Sequence, residues 1–284
     1  MHTWGFEALG TAWQVDTAAP LGDAPRERVR ERVEQYDRDW SRFRTDGPVA
    51  ELARTGRAAL ADEAGDLLDV YTTLHRLTGG AMNPLVGASL ERLGYDPAYT
   101  LQPSGDPVPA PSWDAVTWAP PVLDVPPATV LDVGAAGKGQ LVDLVTDLLL
   151  ADGVDVLTVD GSGDLRHVAG EPLRVALEHP DDSSLAVGVL ELDPGLALCA
   201  SAANRRAWGD GLHHVLDART GLPTDEVVAT WVVAERALVA DALATALFLA
   251  PADRLAEAFD FSALVITADG RAAVHGDLTG ELFS

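Results

Sequence analysis

Apolar positions recur along the chain at spacings that predict both helices and strands. Val29, Val33, Tyr36 and Trp40 follow at intervals of four, three and four, one apolar stripe in a highly charged stretch. This predicts a helix from about Pro25, with Asp23 as its cap and Ser41-Arg42-Phe43 as its end. Leu67, Tyr71, Leu74 and Leu77 predict a second helix over about Asp66–Thr78, stopped by Gly79-Gly80. Leu141, Leu144, Val145 and Leu148 predict a third over Gln140–Leu150, and a long helix is expected over about Ala237–Leu249. Strands are expected at Phe6–Asp16, Thr129–Val133, Val154–Val159, Leu173–Leu177 and Val187–Leu192. Leu264–Thr267 and Ala272–Val274, joined at Asp269-Gly270, predict a C-terminal hairpin. Thr129–Val159 reads as a βαβ-like module with two glycine turns, Gly134–Gly139 and Gly161–Gly163.

The stretch from Pro97 to Pro127 holds nine of the 18 prolines, which excludes long helices there. Apolar residues continue through it, around Val116–Trp118 and Val122–Val125, so it is expected to be an excursion of one domain spanning 1–284. The formal charge of −24 repels phosphate backbones and anionic lipid, which argues against a nucleic-acid or membrane-surface role but leaves room for a local cationic pocket. A single cysteine, Cys199, excludes an intramolecular disulfide. Met1–Gly10 lacks the basic patch and apolar run of a secretory signal, so a cytoplasmic protein is expected. Of the 20 basic residues, 19 are arginine, and the exception is Lys138. A lysine retained under such bias points to a place where the two are not interchangeable.

Three segments carry candidate chemistry. Gly134–Gly139 surrounds Lys138 with glycines, which lets backbone N–H groups crowd an anion at a helix start, although the spacing is not that of a Walker A loop. His213–Pro223 gathers two imidazoles, a carboxylate, a guanidinium and a hydroxyl; a histidine near a carboxylate suits general-base work. Asp241 and Thr245, four apart on an otherwise apolar helix, offer two hard oxygen donors on one face, suited to Mg²⁺.

Taken in order, these segments resemble the FAD:protein FMN transferase (ApbE) family. Gly10-Thr11-Ala12-Trp13 is similar to the family's opening Met-Gly-Thr strand, and Ser41-Arg42-Phe43 is identical to its Ser-Arg-Phe. Leu131–Gly139, with Asp143 beyond, resembles its Leu-Asp-Leu-Gly-Gly-Ile-Ala-Lys-Gly loop. Gly163-Asp164-Leu165-Arg166, His214–Pro223 and Ala240–Leu247 resemble three further motifs in the family's order. There are departures: Asn83 stands where the family has Asp, Gly137 replaces the alanine before the lysine, and Ser162 replaces a glycine. Ala200–Asn204 keeps mainly Ser201 of an Ala-Thr-Ser-Gly-Asp-Tyr segment, and Ala218 replaces a proline.

The resemblance implies an α+β fold of mixed sheets flanked by helices, with a FAD cleft between two connected halves. It implies FAD as donor, Mg²⁺, and a Thr or Ser of a partner flavoprotein as acceptor, with AMP leaving. His214 is then expected to activate the acceptor hydroxyl and Asp217 to orient it or touch substrate. Gly137, Asp241 and Thr245 are expected at the metal. Lys138, Gly139, Asp164, Ser201 and Thr220 are expected at FAD. The same site also suits a metal-dependent FAD hydrolase releasing FMN and AMP, and the altered Ala200–Asn204 segment suits a non-catalytic FAD-binding protein.

Overall fold

In the computed structural model, residues 1–283 are described. Leu9 and Gly10 adopt left-handed φ values of 50° and 72°, and this turn splits the expected first strand into β1 (His2–Ala8) and β2 (Thr11–Thr17). Helix α1 (Asp23–Trp40) buries the predicted stripe of Val29, Val33, Tyr36 and Trp40. Its N-cap is Gly22 without a side-chain bond, so Asp23 is the first helical residue rather than the cap. Helix α2 (Pro48–Thr55) and strand β3 (Arg57–Ala59) were not expected; α2 is too short to show periodicity. Helix α3 (Ala64–Leu77) buries Leu67, Tyr71, Leu74 and Leu77 and ends before the left-handed Gly79 and Gly80. A short α4 (Gly87–Arg92) follows.

The proline-rich excursion folds back onto the body. Its strands β4 (Thr117–Ala119) and β5 (Val122–Asp124) make a small sheet with β3, in the order β3-β5-β4, and Leu123 is fully buried in the main core. Thr129–Val133 is not a strand. Asp132 N–H bonds Pro84 O, Gly87 N–H bonds Val130 O, and Val133 O accepts the Ala136 and Gly137 N–H groups of the turn into the next helix; the segment joins no ladder. Helix α5 (Gly137–Ala151) starts three residues earlier than expected and takes Lys138 into its first turn.

The remaining strands are β6 (Leu157–Asp160), β7 (Asp164–His167), β8 (Leu173–His179), β9 (Asp182–Leu192) and β10 (Leu196–Ala202). After them come the two-residue strands β11 (Ala207–Trp208), β12 (Leu212–His213), β13 (Leu216–Asp217) and β14 (Leu222–Pro223), then β15 (Val227–Ala234). Helices α6 (Ala237–Ala246) and α7 (Ala252–Leu255) precede β16 (Ser262–Thr267), β17 (Ala272–His275) and β18 (Gly280–Leu282). Eight strands form the main sheet in the order β1-β2-β6-β7-β10-β15-β16-β17. The α+β class holds, but every pairing among the described residues is antiparallel, so the sheets are not mixed and no βαβ unit exists.

Strand alternation divides the core. On β10, Ala197 and Cys199 face the helices α5 and α6, while Leu198 faces the opposite side; on β15, Val232 and Ala234 alternate with Ala229 and Trp231 in the same way. The opposite face is covered by the sheet β8-β9-β18 through Leu177, Leu190 and Leu192. The helix side therefore holds α5 and α6 firmly against the sheet, and both carry site residues.

Candidate active site

A cleft of about 700 Å³ opens where the first turn of α5, the middle of α6, the β6–β7 turn and the end of β10 converge, with Arg42, Tyr95 and His214 along its walls. Gly137, Lys138, Asp164, Ser201, His214, Asp241 and Thr245 all line it. Gly139, Asp217 and Thr220 do not.

Two carboxylates align α6. The Asp143 side chain accepts the N–H groups of Ala237 (3.1 Å) and Leu238 (3.0 Å), satisfying the start of α6 from within α5. One turn further, Asp241 Oδ2 accepts the Gly139 N–H at 2.8 Å. The two helices touch closely here: a Cβ on Gly139 would lie 2.2 Å from Ala237 O. Gly139 lines no part of the cleft and serves here by its missing side chain and by the amide that Asp241 accepts. Thr245, one turn after Asp241, has its hydroxyl 3.3 Å from that of Ser201.

Asp241 is 4% exposed, and its carboxyl is pushed up to about 8, first by burial and then by the nearby Asp164 carboxylate. Lys138 and Arg206 offset this only in part, so the buried carboxylate suits a further cation. No group of three His, Cys, Asp or Glu side chains able to hold a metal exists among the described residues. The donors fit a hard ion that keeps waters: the Asp241 oxygen not bonded to Gly139, the Thr245 hydroxyl, and the carbonyl of Gly137. Gly137 opens α5 rather than lying in a loop, so a ligand would use its carbonyl's second lone pair.

Lys138 closes the opposite wall. Its Nζ donates to Gly161 O (2.9 Å) and Ser162 O (3.2 Å) and lies 2.9 Å from Asp164 Oδ2. Burial works against its charge, but Asp164 and Asp241 outweigh that and hold the ammonium above its usual pKa. The Gly161–Gly163 turn needs this brace, because Ser162 adopts φ 62°, a left-handed conformation costly for a residue with a Cβ. Asp164, fully buried, also accepts the Ala200 N–H at 3.3 Å and so links the turn to β10. Lys138→Arg would force a planar fork where three acceptors surround a point charge. We expect about tenfold weaker flavin binding or turnover from it, measured by flavin fluorescence titration and product assay.

The His213–Pro223 segment divides by role. His213 is structural: its Nε2 meets Thr224 O at 2.7 Å and its Nδ1 accepts the Val215 N–H. His214 faces the cleft, and its Nδ1 is buried without a hydrogen-bond partner. Burial first, then the Arg206 charge, lower this imidazole to about 3. Asp217 was expected beside it but is clamped by the Arg219 guanidinium, with Nε 2.9 Å and Nη2 2.5 Å from its oxygens, which hold its carboxyl below the usual range. Thr220 donates to Asp217 O and caps the Leu222 N–H in the same exposed turn. Both shape the turn that carries His214, and neither reaches the cleft.

Two further groups had no role in the sequence reading. Arg42, inside the Ser-Arg-Phe run, pairs with Asp132 at 2.5 Å, donates to Tyr95 O and lies 4.2 Å from the Phe43 ring centroid. Asn83 accepts the Leu85 N–H and donates to Pro111 O at 2.8 Å, a donation that an aspartate could not make. It ties the proline-rich excursion to the cleft wall. Arg42 lay inside a quoted motif and Asn83 was a noted departure, but Asp132 and Pro111, which give them these roles, are distant in sequence.

The ApbE family model matches residues 9–265. A "FAD:protein FMN transferase" of Rhodobacter capsulatus is 29% identical over 284 aligned positions, 86% of this chain and 50% of that protein. One of Treponema pallidum is 28% identical over 258 positions, 78% of this chain and 70% of that protein. The chain spans about half the length of the first curated relatives it matches, 50% and 47%. Among solved structures, the flavin transferase ApbE from Vibrio cholerae superposes with a TM-score of 0.78 at 21% identity, covering 98% of this chain and 96% of that one. The ApbE protein from Thermotoga maritima does so with 0.82 at 22% identity, covering 96% of each chain. These structures share the fold, and with the family model matching all but the two ends, the chain belongs to the ApbE family.

Proposed function

We propose that this chain moves FMN from FAD to a Thr or Ser hydroxyl of a partner flavoprotein and releases AMP. The names of the Rhodobacter and Treponema relatives support this reading. The observation that carries it is the meeting, in one cleft, of the Asp241–Thr245 oxygen pair with the His214 imidazole, whose Nδ1 has no hydrogen-bond partner. A Mg²⁺ ion held by Asp241, Thr245 and the Gly137 carbonyl would neutralise diphosphate charge there. The departing Ala200–Asn204 segment retains Ser201 against Thr245, which favours an active site over a binding role. The whole chain, excursion included, is taken as one working unit.

In the proposed reaction the acceptor hydroxyl attacks the FMN-side phosphorus. A new P–O bond forms, the bond to the AMP phosphate breaks, and the hydroxyl proton passes to His214. An imidazole held near 3 is neutral throughout the working pH range, so it can accept a proton. It is also a weak base, and takes the proton only as bond formation acidifies the hydroxyl. His214→Ala is expected to slow transfer about a hundredfold while FAD affinity stays within about threefold. A parental rate in that variant removes the base role.

The deciding experiment combines purified protein, FAD, Mg²⁺ and an acceptor flavoprotein domain. A flavin-fluorescent acceptor band that survives denaturation supports transfer. Free FMN and AMP without that band indicate a hydrolase, and bound, unchanged FAD indicates a binding protein.

A further inference from the structure

Five Lys and Arg side chains line the cleft, and four are answered by carboxylates. Arg42 meets Asp132, Arg44 meets Asp46 and Asp37, Lys138 meets Asp164, and Arg205 meets Glu178. Arg206 pairs with no carboxylate and makes no side-chain hydrogen bond among the described residues. In a chain of net charge −24, it is the one cleft cation with no ion-paired carboxylate among the described residues; Asp132 and Asp241 feel its charge from beyond ion-pair distance.

The fold seats Arg206, an exposed side chain, beside an aromatic wall. Its guanidinium lies 5.8 Å from the Tyr95 ring centroid, and Tyr95 stacks on Trp208 at 5.7 Å. Trp208 is buried and donates its indole N–H to Leu93 O at 2.8 Å. Strands β11 and β12 pair Ala207 with His213 and Trp208 with Leu212, around left-handed Gly209 and Gly211. Arg206 closes the 3-10 turn Ala203–Arg206 directly before β11, and its backbone meets the His214 imidazole. Both side chains line the cleft.

We propose that Arg206 is a substrate-binding residue whose guanidinium grips the diphosphate of the dinucleotide beside His214. This rests on the reading of the cleft as a FAD site. A planar guanidinium can hold two phosphate oxygens at once, and its place beside Tyr95 puts it on the cleft wall. Sequence alone gives no hint of it. Arg205 and Arg206 are adjacent and identical in type, and only the fold separates the one paired with Glu178 from the free one.

The test is calorimetric titration of the full chain, in chelator, with FAD, riboflavin and inorganic pyrophosphate. Arg206→Ala should weaken FAD and pyrophosphate about tenfold or more and leave riboflavin, which has no phosphate, within about twofold. Arg206→Lys should recover part of the loss. Equal losses for FAD and riboflavin would mean that the residue only supports the aromatic wall, and unchanged FAD and pyrophosphate affinities would also overturn the proposal. If the parent binds pyrophosphate but neither flavin, the FAD reading fails, and the pyrophosphate comparison still decides the role of Arg206. If the parent binds none of the three, both readings fail.

Discussion

Asp241→Asn is expected to raise the thermal stability of the chelator-treated protein at pH 8 and to cut flavin transfer by about a thousandfold or more. Both effects come from one buried carboxyl. Its pKa is raised from 3.8 to about 8 in the folded state, first by burial and then by Asp164. The folded chain therefore binds that proton more tightly than the unfolded chain does, and stability declines as pH rises from about 4 towards 8. At about 1.4 kcal/mol per pKa unit, the charge costs a few kcal/mol at neutral pH. Asn removes it while an amide oxygen can still accept the Gly139 N–H. The advantage of Asp241→Asn should grow from pH 4 to pH 8 and then level off, as read from melting curves across that range. Added Mg²⁺ should reverse the order, stabilising the parent and not the variant. A variant that melts below the parent at pH 8 in chelator would contradict the buried-charge account, and undiminished transfer would remove Asp241 from the metal.

Gly139→Ala is expected to destabilise the protein by about 3 kcal/mol or more, a fall of roughly 6–12 °C in Tm. Helix propensity alone predicts the opposite sign, a gain of up to about 1 kcal/mol. Sterics decide it. The added methyl would lie 2.2 Å from Ala237 O and 2.6 Å from Asp241 Cβ, and the first of these is backbone that cannot swing aside. Helices α5 and α6 must part, which also breaks the Gly139–Asp241 bond and shifts Thr245 against Ser201. Gly65→Ala is the control: Gly65 is also helical, but a Cβ there meets nothing within 4 Å, and its melting temperature should hold or rise. Comparable losses in the two variants would mean that close helix contact is not what glycine provides at 139.

Local pattern accounts for much of the architecture. The stripes of α1 and α3, the stop at Gly79-Gly80 and the C-terminal hairpin follow from spacing and turn chemistry, which act within a few residues. The pairing of Asp241 and Thr245 on one face of α6 follows from helical geometry alone. The same local reading misassigned Thr129–Val133, because apolar residues next to a glycine turn look like a strand whether or not a ladder partner exists. It also placed Asp217 at the chemistry through nearness in sequence to His214, whereas Arg219, two residues away, takes the carboxylate outward. Sequence order and residue type by themselves determined the motifs and the oxygen-rich face of α6, and through the family resemblance of those motifs the α+β class. The tertiary structure decided which charges are directly paired: Arg42 with Asp132 and Lys138 with Asp164, while Asp241 bonds an amide and meets Lys138 and Arg206 only at longer range. The reason is that local conformation depends on neighbours a turn away, while electrostatic environment depends on burial and on partners brought together from distant parts of the chain.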